Sequence, residues 1–155
     1  MAKWKIDPDH ASAGFSVHHM MVTIVHGLFT NISGTILFDP VRPADTSVEV
    51  EVDVASIYTG VDRRDNHLRS ADFFDAEKFP KMYFKSSSTE VVGMNTIKVA
   101  GDLTIHGITR PVVFDVTYVG PSHFVDDDKD LYDLRNQRHH VYPTRRFWHD
   151  MECGY

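Results

Sequence analysis

Residues 47–57 read SVEVEVDVASI, and the alternation in this stretch decides the fold class. Val48, Val50, Val52 and Val54 fall on one side of a pleated strand, while Glu49, Glu51 and Asp53 fall on the other. One apolar face and one acidic face describe a strand of an antiparallel sheet that covers a core on one side and meets water on the other.

The same period of two continues outward in both directions. Toward the N-terminus, Trp4 and Ile6 begin a strand stopped by Pro8, and Ala11, Ala13, Phe15 and Val17 alternate with Ser12, Gly14, Ser16 and His18. HHMMVTIVHG at 18–27 is apolar without clean alternation and reads as a bend or a turn of helix. Gly27, Phe29, Ile36 and Phe38 mark a strand pair or one long bent strand, with a bulge expected at Gly34, and DPVRPAD at 39–45 is a loop. Toward the C-terminus, MYFKSSSTEVV and TIKVAGDLTI flank a GMN turn, and PVVFDVTYV follows the HGITR turn. Many strands, short turns and no internal repeat predict one all-β domain over 1–155, an antiparallel sandwich or a barrel closed on itself.

Residues 56–86, SIYTGVDRRDNHLRSADFFDAEKFPKMYFKS, break the pattern with a charged, helix-like stretch. Val61, Arg64, Asp65 and Leu68 repeat at helical spacing, with Asp62 as the expected N-cap. A helix this short needs a surface to lie across, and the strands on both sides make that surface the open end of the sheet or barrel. Arg64, Asp65 and His67 beside Leu68, Phe73 and Phe74 make a polar rim next to an apolar patch, suited to a ligand's head group above its chain. The competing reading is a solvated helix face over ordinary core aromatics. Phe15, Val17, His18, Phe29 and Phe84 complete the expected lining if the barrel is hollow.

At 155 residues and 17.7 kDa, the chain is long enough to bury a core without disulfides, and its single Cys153 cannot form an internal one. Sixteen Lys and Arg against 22 Asp and Glu give a formal charge of -6, which argues against nucleic acid and anionic membrane surfaces as partners. No apolar run reaches the length of a membrane span, and MAKWKIDPDH has no apolar leader core, so a cytoplasmic protein is expected. The histidines, His10, His18, His19, His26, His67 and His106 among them, fall in no zinc-ligand spacing, so neither a metal nor any other cofactor is expected. His10 with Asp7, and His106 near Thr109, are read as turn-stabilising groups. Ser70 with His67 and Asp72 is the one arrangement resembling a catalytic triad, and no nucleophile elbow surrounds it.

Four motifs in order, WKIDPDHASAGFSVHHM, GLFTNISG, the 56–86 stretch and GDLTIHGITRPVVFDV, resemble the YceI-like family of polyisoprenoid-binding proteins. The resemblance covers residues 4 to about 120 and implies a lipocalin-like barrel of about eight strands, enclosing a channel for an isoprenoid or fatty-acyl chain. It implies non-catalytic binding or carriage, with a homodimer as an open alternative. The other readings are a stress-response interaction protein without a dedicated ligand, and a hydrolase.

After Gly120 the resemblance stops, and 121–155 are atypical, ending in the polar DDDKDLYDLRNQRHHVYPTRRFWHDMECGY. Read one base later, the codons of Trp148 and His149 must give Gly, and those of Met151 and Glu152 must give Trp. The shifted frame therefore permits an FGMTW-like ending of the family's kind, and a frameshifted terminus that leaves the barrel incomplete is expected.

Overall fold

Thr30 and Asn31 are the only residues between two seven-residue strands that lie in different sheets. The computed structural model describes residues 2–19, 22–118, 122–126 and 129–133. Its strands are β1 (Ala2–Lys5), β2 (Ala13–His19), β3 (Thr23–Phe29), β4 (Ile32–Phe38), β5 (Ser47–Asp53), β6 (Ile57–Tyr58), β7 (Lys81–Gly93), β8 (Thr96–Ile105), β9 (Ile108–Thr117), β10 (Ser122–Asp126) and β11 (Lys129–Asp133). One helix, α1 (Asp62–Arg69), follows β6. A six-stranded sheet runs β1-β4-β5-β7-β8-β9, and β2-β3-β6 form a second; all pairs are antiparallel.

The two sheets are halves of one folded wall. β4 pairs with β5 and β3 with β6, so both strands of this ribbon cross the corner together. There Asp53 N donates to the Asn31 carbonyl at 2.9 Å and Thr30 N to the Ser56 carbonyl at 3.3 Å. The Ser56 hydroxyl accepts from Asn31 N at 3.1 Å and donates to the Asp53 carbonyl at 2.6 Å. Backbone groups that leave the ladder at the bend thereby find partners within the corner itself. Residues 27–38, read as a strand pair or one long bent strand, form two strands that do not pair with each other, the end of β3 and all of β4, joined through the bend at Thr30 and Asn31.

Two local expectations are corrected. HHMMVTIVHG is not a helical turn: β2 and β3 make a hairpin in register from Ala13↔Phe29 to His19↔Thr23. Its alternation is hidden because Val22 and Ile24 are apolar yet 88% and 50% exposed. Gly34 forms no bulge, since it pairs with Val50 in an unbroken register. A Cβ there would run into the Glu49 carbonyl oxygen and come within 3.0 Å of Val50 Cα, so glycine serves the close approach of β4 and β5. The register shifts fall on β7, between Ser86 and Ser88 and between Val91 and Gly93.

The fold is all-β, antiparallel and lipocalin-like, with most of the described residues in strands. The sheet curls until the Phe38 ring of β4 meets Tyr118, just beyond β9, with centroids 4.9 Å apart. Among the described residues the barrel is not closed: the wall ends on β9 at one side, and β10 and β11 pair with each other in a separate sheet. Apart from those two strands, the atypical stretch and its shifted frame lie outside the described residues.

The pleat sends Val48, Val50 and Val52 inward, and their partners follow: Ile36, Gly34 and Ile32 on β4, Phe84 and Met82 on β7. Beyond β7 the inward set continues with Leu103 and Gly101, then Phe114 opposite Val99 and Val116 opposite Ile97. This face packs as two clusters. Phe29, Val54, Ile57, Phe74, Met82 and Ile105 fill the end beneath α1; Phe84, Ile97 and Val99 fill the other, with Phe114 and Val116 against them.

Glycines seat the rings in this wall. A Cβ on Gly101 would lie 2.7 Å from the Phe84 ring and strike the Lys85 carbonyl oxygen; one on Gly27 would lie 2.4 to 2.7 Å from the Phe15 ring. Gly101→Ala is therefore expected to cost about 1–3 kcal/mol by overpacking. A urea midpoint equal to that of the wild type would contradict this placement of Phe84. The β8–β9 turn uses left-handed backbone at both central residues, His106 (φ 52) and Gly107 (φ 72), the arrangement that matches strand twist in a two-residue hairpin.

Candidate ligand-binding site

The inner wall beneath α1 is where the expected lining residues gather. Ala13, Phe15 and Val17 alternate inward on β2, opposite Phe29, Gly27 and Val25 of β3. The Phe15 and Phe29 rings are 5.4 Å apart, and Phe29 meets Phe74 edge-on at 5.7 Å. Phe84 stands on the same inner face and packs edge-on against Phe114 at 4.8 Å. His18 is placed differently: opposite Ile24, it points outward and away from this lining.

α1 caps that end. Its N-cap is Val61 rather than Asp62, which is the first helical residue and makes no side-chain cap bond. The loop before the helix is held instead by Asp65, one turn in. Its Oδ1 accepts from Thr59 N at 2.9 Å and from the Thr59 hydroxyl at 2.5 Å. Arg64 donates from Nε to the Thr59 hydroxyl and from Nη2 to the Thr59 carbonyl, both at 2.7 Å. Thr59 thus links both side chains, and Asp65 is only 3% exposed. Both groups are turned into the fold and not displayed as a rim.

Leu68 packs against the cluster below, and Phe74 is 2% exposed. Phe73 is 39% exposed and lies edge-on to the His67 ring at 4.9 Å. The expected rim is therefore divided: His67 and Phe73 are at the surface, while Leu68 and Phe74 belong to the interior.

Two groups that fix the helix carried no signal in the sequence pattern. Thr59 is the shared partner just described. Arg69 donates from Nε to the Ala55 carbonyl and from Nη2 to the Ile57 carbonyl, each at 2.8 Å, and so ties the last turn of α1 to the corner of the wall. Main-chain acceptors on another element leave no mark in residue spacing, although a basic residue in the last turn is itself an ordinary helix-end preference.

The triad arrangement does not assemble. His67 Nε2 lies 3.0 Å from Asp72 Oδ2, but the Ser70 hydroxyl donates to the His67 carbonyl at 2.6 Å instead of to its ring. Among the described residues, no group of three or more His, Cys, Asp or Glu side chains is set to hold a metal ion. No helix there is long and apolar enough to cross a membrane.

At the N-terminal turn, His10 Nδ1 is 2.7 Å from Asp7 Oδ2, and Asp9 N donates to Asp7 Oδ1 at 3.0 Å. These bonds favour the ionised carboxylate and lower the Asp7 pKa, the His10 bond first and the Asp9 amide next. A lowered folded-state value gives stability that is present above the ordinary value of 3.8 and is lost as the pH falls through the lowered one. Asp7→Asn should be slightly less stable than the wild type at pH 7, with the gap shrinking below pH 3.8. A gap that widens in acid would contradict this role.

Comparison with known proteins agrees with this architecture. A model of the YceI-like domain matches residues 4–137. A UPF0312 protein of Pseudomonas putida strain W619 is 36% identical over 121 residues, covering 77% of this chain and 63% of the relative. Another, from Pseudomonas fluorescens, is 40% identical over 126 residues, covering 77% of this chain and 64% of the relative. The chain thus spans a little under two thirds of the length of these relatives. Among solved structures, Burkholderia cenocepacia BcnA superposes with a TM-score of 0.66 at 30% identity, covering 72% of this chain and 69% of that one. The Campylobacter jejuni YCEI protein gives 0.62 at 32%, covering 80% of this chain and 72% of that one. A polyisoprenoid binding domain from Saccharophagus degradans is similar in fold alone, at 0.51 and 16% identity, covering 69% and 61%.

Proposed function

The chain belongs to the YceI-like family, and from that premise we propose that it binds or carries a long apolar ligand, an isoprenoid or a fatty-acyl chain, without catalysing a reaction. One observation carries the reading: the inward face of the wall is lined mainly by apolar side chains, with Arg110 and Thr89 among the exceptions, and passes beneath a helix that caps one end. Affinity would come from burial, at about 25 cal/mol per Å² of apolar surface removed from water, less the cost of ordering a flexible chain. Phe15, Val17, Phe29 and Phe84, with Leu68 and Phe74 under the helix, are the proposed contacts. Phe73 and His67 would stand at the mouth, where Arg64 and Asp65 support the helix. Catalysis at Ser70 is disfavoured, because its hydroxyl is committed to a backbone carbonyl.

Calorimetric titration with farnesol at several temperatures tests the proposal. Saturable binding with a negative heat-capacity change supports it, since apolar burial carries that signature. No binding of farnesol or of any fatty-acyl probe, or ester hydrolysis lost in Ser70→Ala, would overturn it.

A further inference from the structure

Residues 11–38 contain no Asp, Glu, Lys or Arg, although these make up 25% of the chain. The β2–β3 hairpin lies inside this run. β6 joins it only at Leu28 and Phe29, so from Thr23 to Gly27 the ladder has two strands among the described residues. At about 3.4 Å per residue, Val22 stands roughly 20 Å along this ribbon from the junction at Leu28. Val22 is 88% and Ile24 50% exposed, Met20 and Met21 precede them in the chain, and outward-facing His18 lies opposite Ile24. Elsewhere the outer surface is charged: Lys81 pairs with Glu51 at 2.7 Å and Lys85 with Glu49 at 3.0 Å. The other exposed apolar turn, with Val91, Val92 and Met94, has Glu90 facing Lys98 at its base. Exposed apolar side chains gathered on a projection without fixed charge mark a surface that binds something.

We propose that the β2–β3 tip docks on a lipid bilayer, with Val22 and Ile24 entering the boundary between headgroups and acyl chains. Two observations select a bilayer over a protein. The described apolar side chains at the tip fall far short of the ~800 Å² per partner that a stable protein interface buries. The tip also lacks a carboxylate or a fixed cation to specify a protein surface, and for the same reason it enters a bilayer without stripping water from an ion. Docking of this kind scales with the apolar area buried, and for so small a tip it is weak and reversible. The formal charge of -6 comes from residues outside this run, so apolar burial and not attraction to anionic lipid holds the contact. The inner faces of the same two strands carry Phe15 and Phe29, which places the proposed lining next to the membrane. Docking nevertheless needs no occupied interior and goes beyond the ligand reading above.

The test floats the full chain, without added ligand, on an excess of phosphatidylcholine vesicles. The wild type is expected to rise with the vesicles, and its bound fraction should stay within about twofold between about 0.1 and about 1 M salt, because screening does not touch apolar burial. Val22→Glu and Ile24→Glu should each lower that fraction about tenfold, since a carboxylate is costly to carry into the membrane. Both side chains are exposed, so the melting points of these variants should stay near that of the wild type. Val22→Trp should raise the bound fraction, because Trp favours the membrane–water interface. Met94→Glu, at the other apolar turn and also exposed, should leave it unchanged. A wild type that does not float overturns the proposal, and so does release by salt or an equal loss in Met94→Glu. A dimer that forms without flotation and is abolished by Val22→Glu also overturns it and assigns the tip to a second copy of the chain. Because the flotation uses no ligand, its failure leaves the farnesol titration untouched, and the reverse holds as well.

Discussion

Phe74→Ala is expected to lower the unfolding free energy by about 3–5 kcal/mol, the range for deleting a fully buried aromatic ring. Phe73→Ala, one residue earlier, should change it by about 0.5 kcal/mol or less. The contrast follows from position. Phe74 is 2% exposed, meets Phe29 edge-on, and joins Ile57, Met82 and Ile105 under the helix, whereas Phe73 is 39% exposed with His67 as its ring contact. Removing the Phe74 ring opens a void at the point where α1 rests on the wall, and neither element can collapse into it without leaving its own hydrogen bonds. For a chain of this size, the loss should appear as a melting point lower by roughly 10 °C. Equal melting points for the two variants would contradict the packing of α1 on the wall.

Asp65→Ala is expected to cost about 2–4 kcal/mol, although the residue is polar and its sequence pattern fits a ligand rim or a solvated helix face. The carboxylate is buried, and its loss leaves the Thr59 amide and hydroxyl without their acceptor and Arg64 bonded to a loop no longer fixed. A double-mutant cycle with Thr59→Val isolates the contact. The two changes should be non-additive by at least about 0.5 kcal/mol, since both remove the bond from the Thr59 hydroxyl to the carboxylate, while the bond from the Thr59 amide is lost only in Asp65→Ala. Strict additivity would mean that the hydroxyl bond contributes nothing to holding the helix. Asp65→Asn, which keeps an acceptor oxygen, should fall between the wild type and Asp65→Ala.

The sequence and the structure agree best where one face of a strand is buried. Val48, Val50 and Val52 announced β5 by alternation, and the inward positions of β7, β8 and β9 follow the same rule. Alternation failed at residues 18–27, because a hairpin tip has no buried face to enforce it. It failed again at Gly34, where a missing side chain reports a steric need on the neighbouring strand and not a bulge on its own. Helical spacing correctly grouped Arg64, Asp65 and Leu68 on one side of α1. It could not say that Thr59, outside the helix, would engage the two charged members and turn them inward. Phe73 and Phe74 were inseparable in sequence, since adjacent rings differ only in which way the chain turns after Ser70.

The central claim, an apolar chain held in the wall without chemistry, is most directly tested by native mass spectrometry of the freshly purified protein, followed by solvent extraction of whatever it releases. The account predicts a stoichiometric adduct that survives gentle ionisation and is extracted as an intact isoprenoid or fatty-acyl compound. A protein that flies empty, and stays empty after incubation with oleate and farnesyl diphosphate, would contradict it.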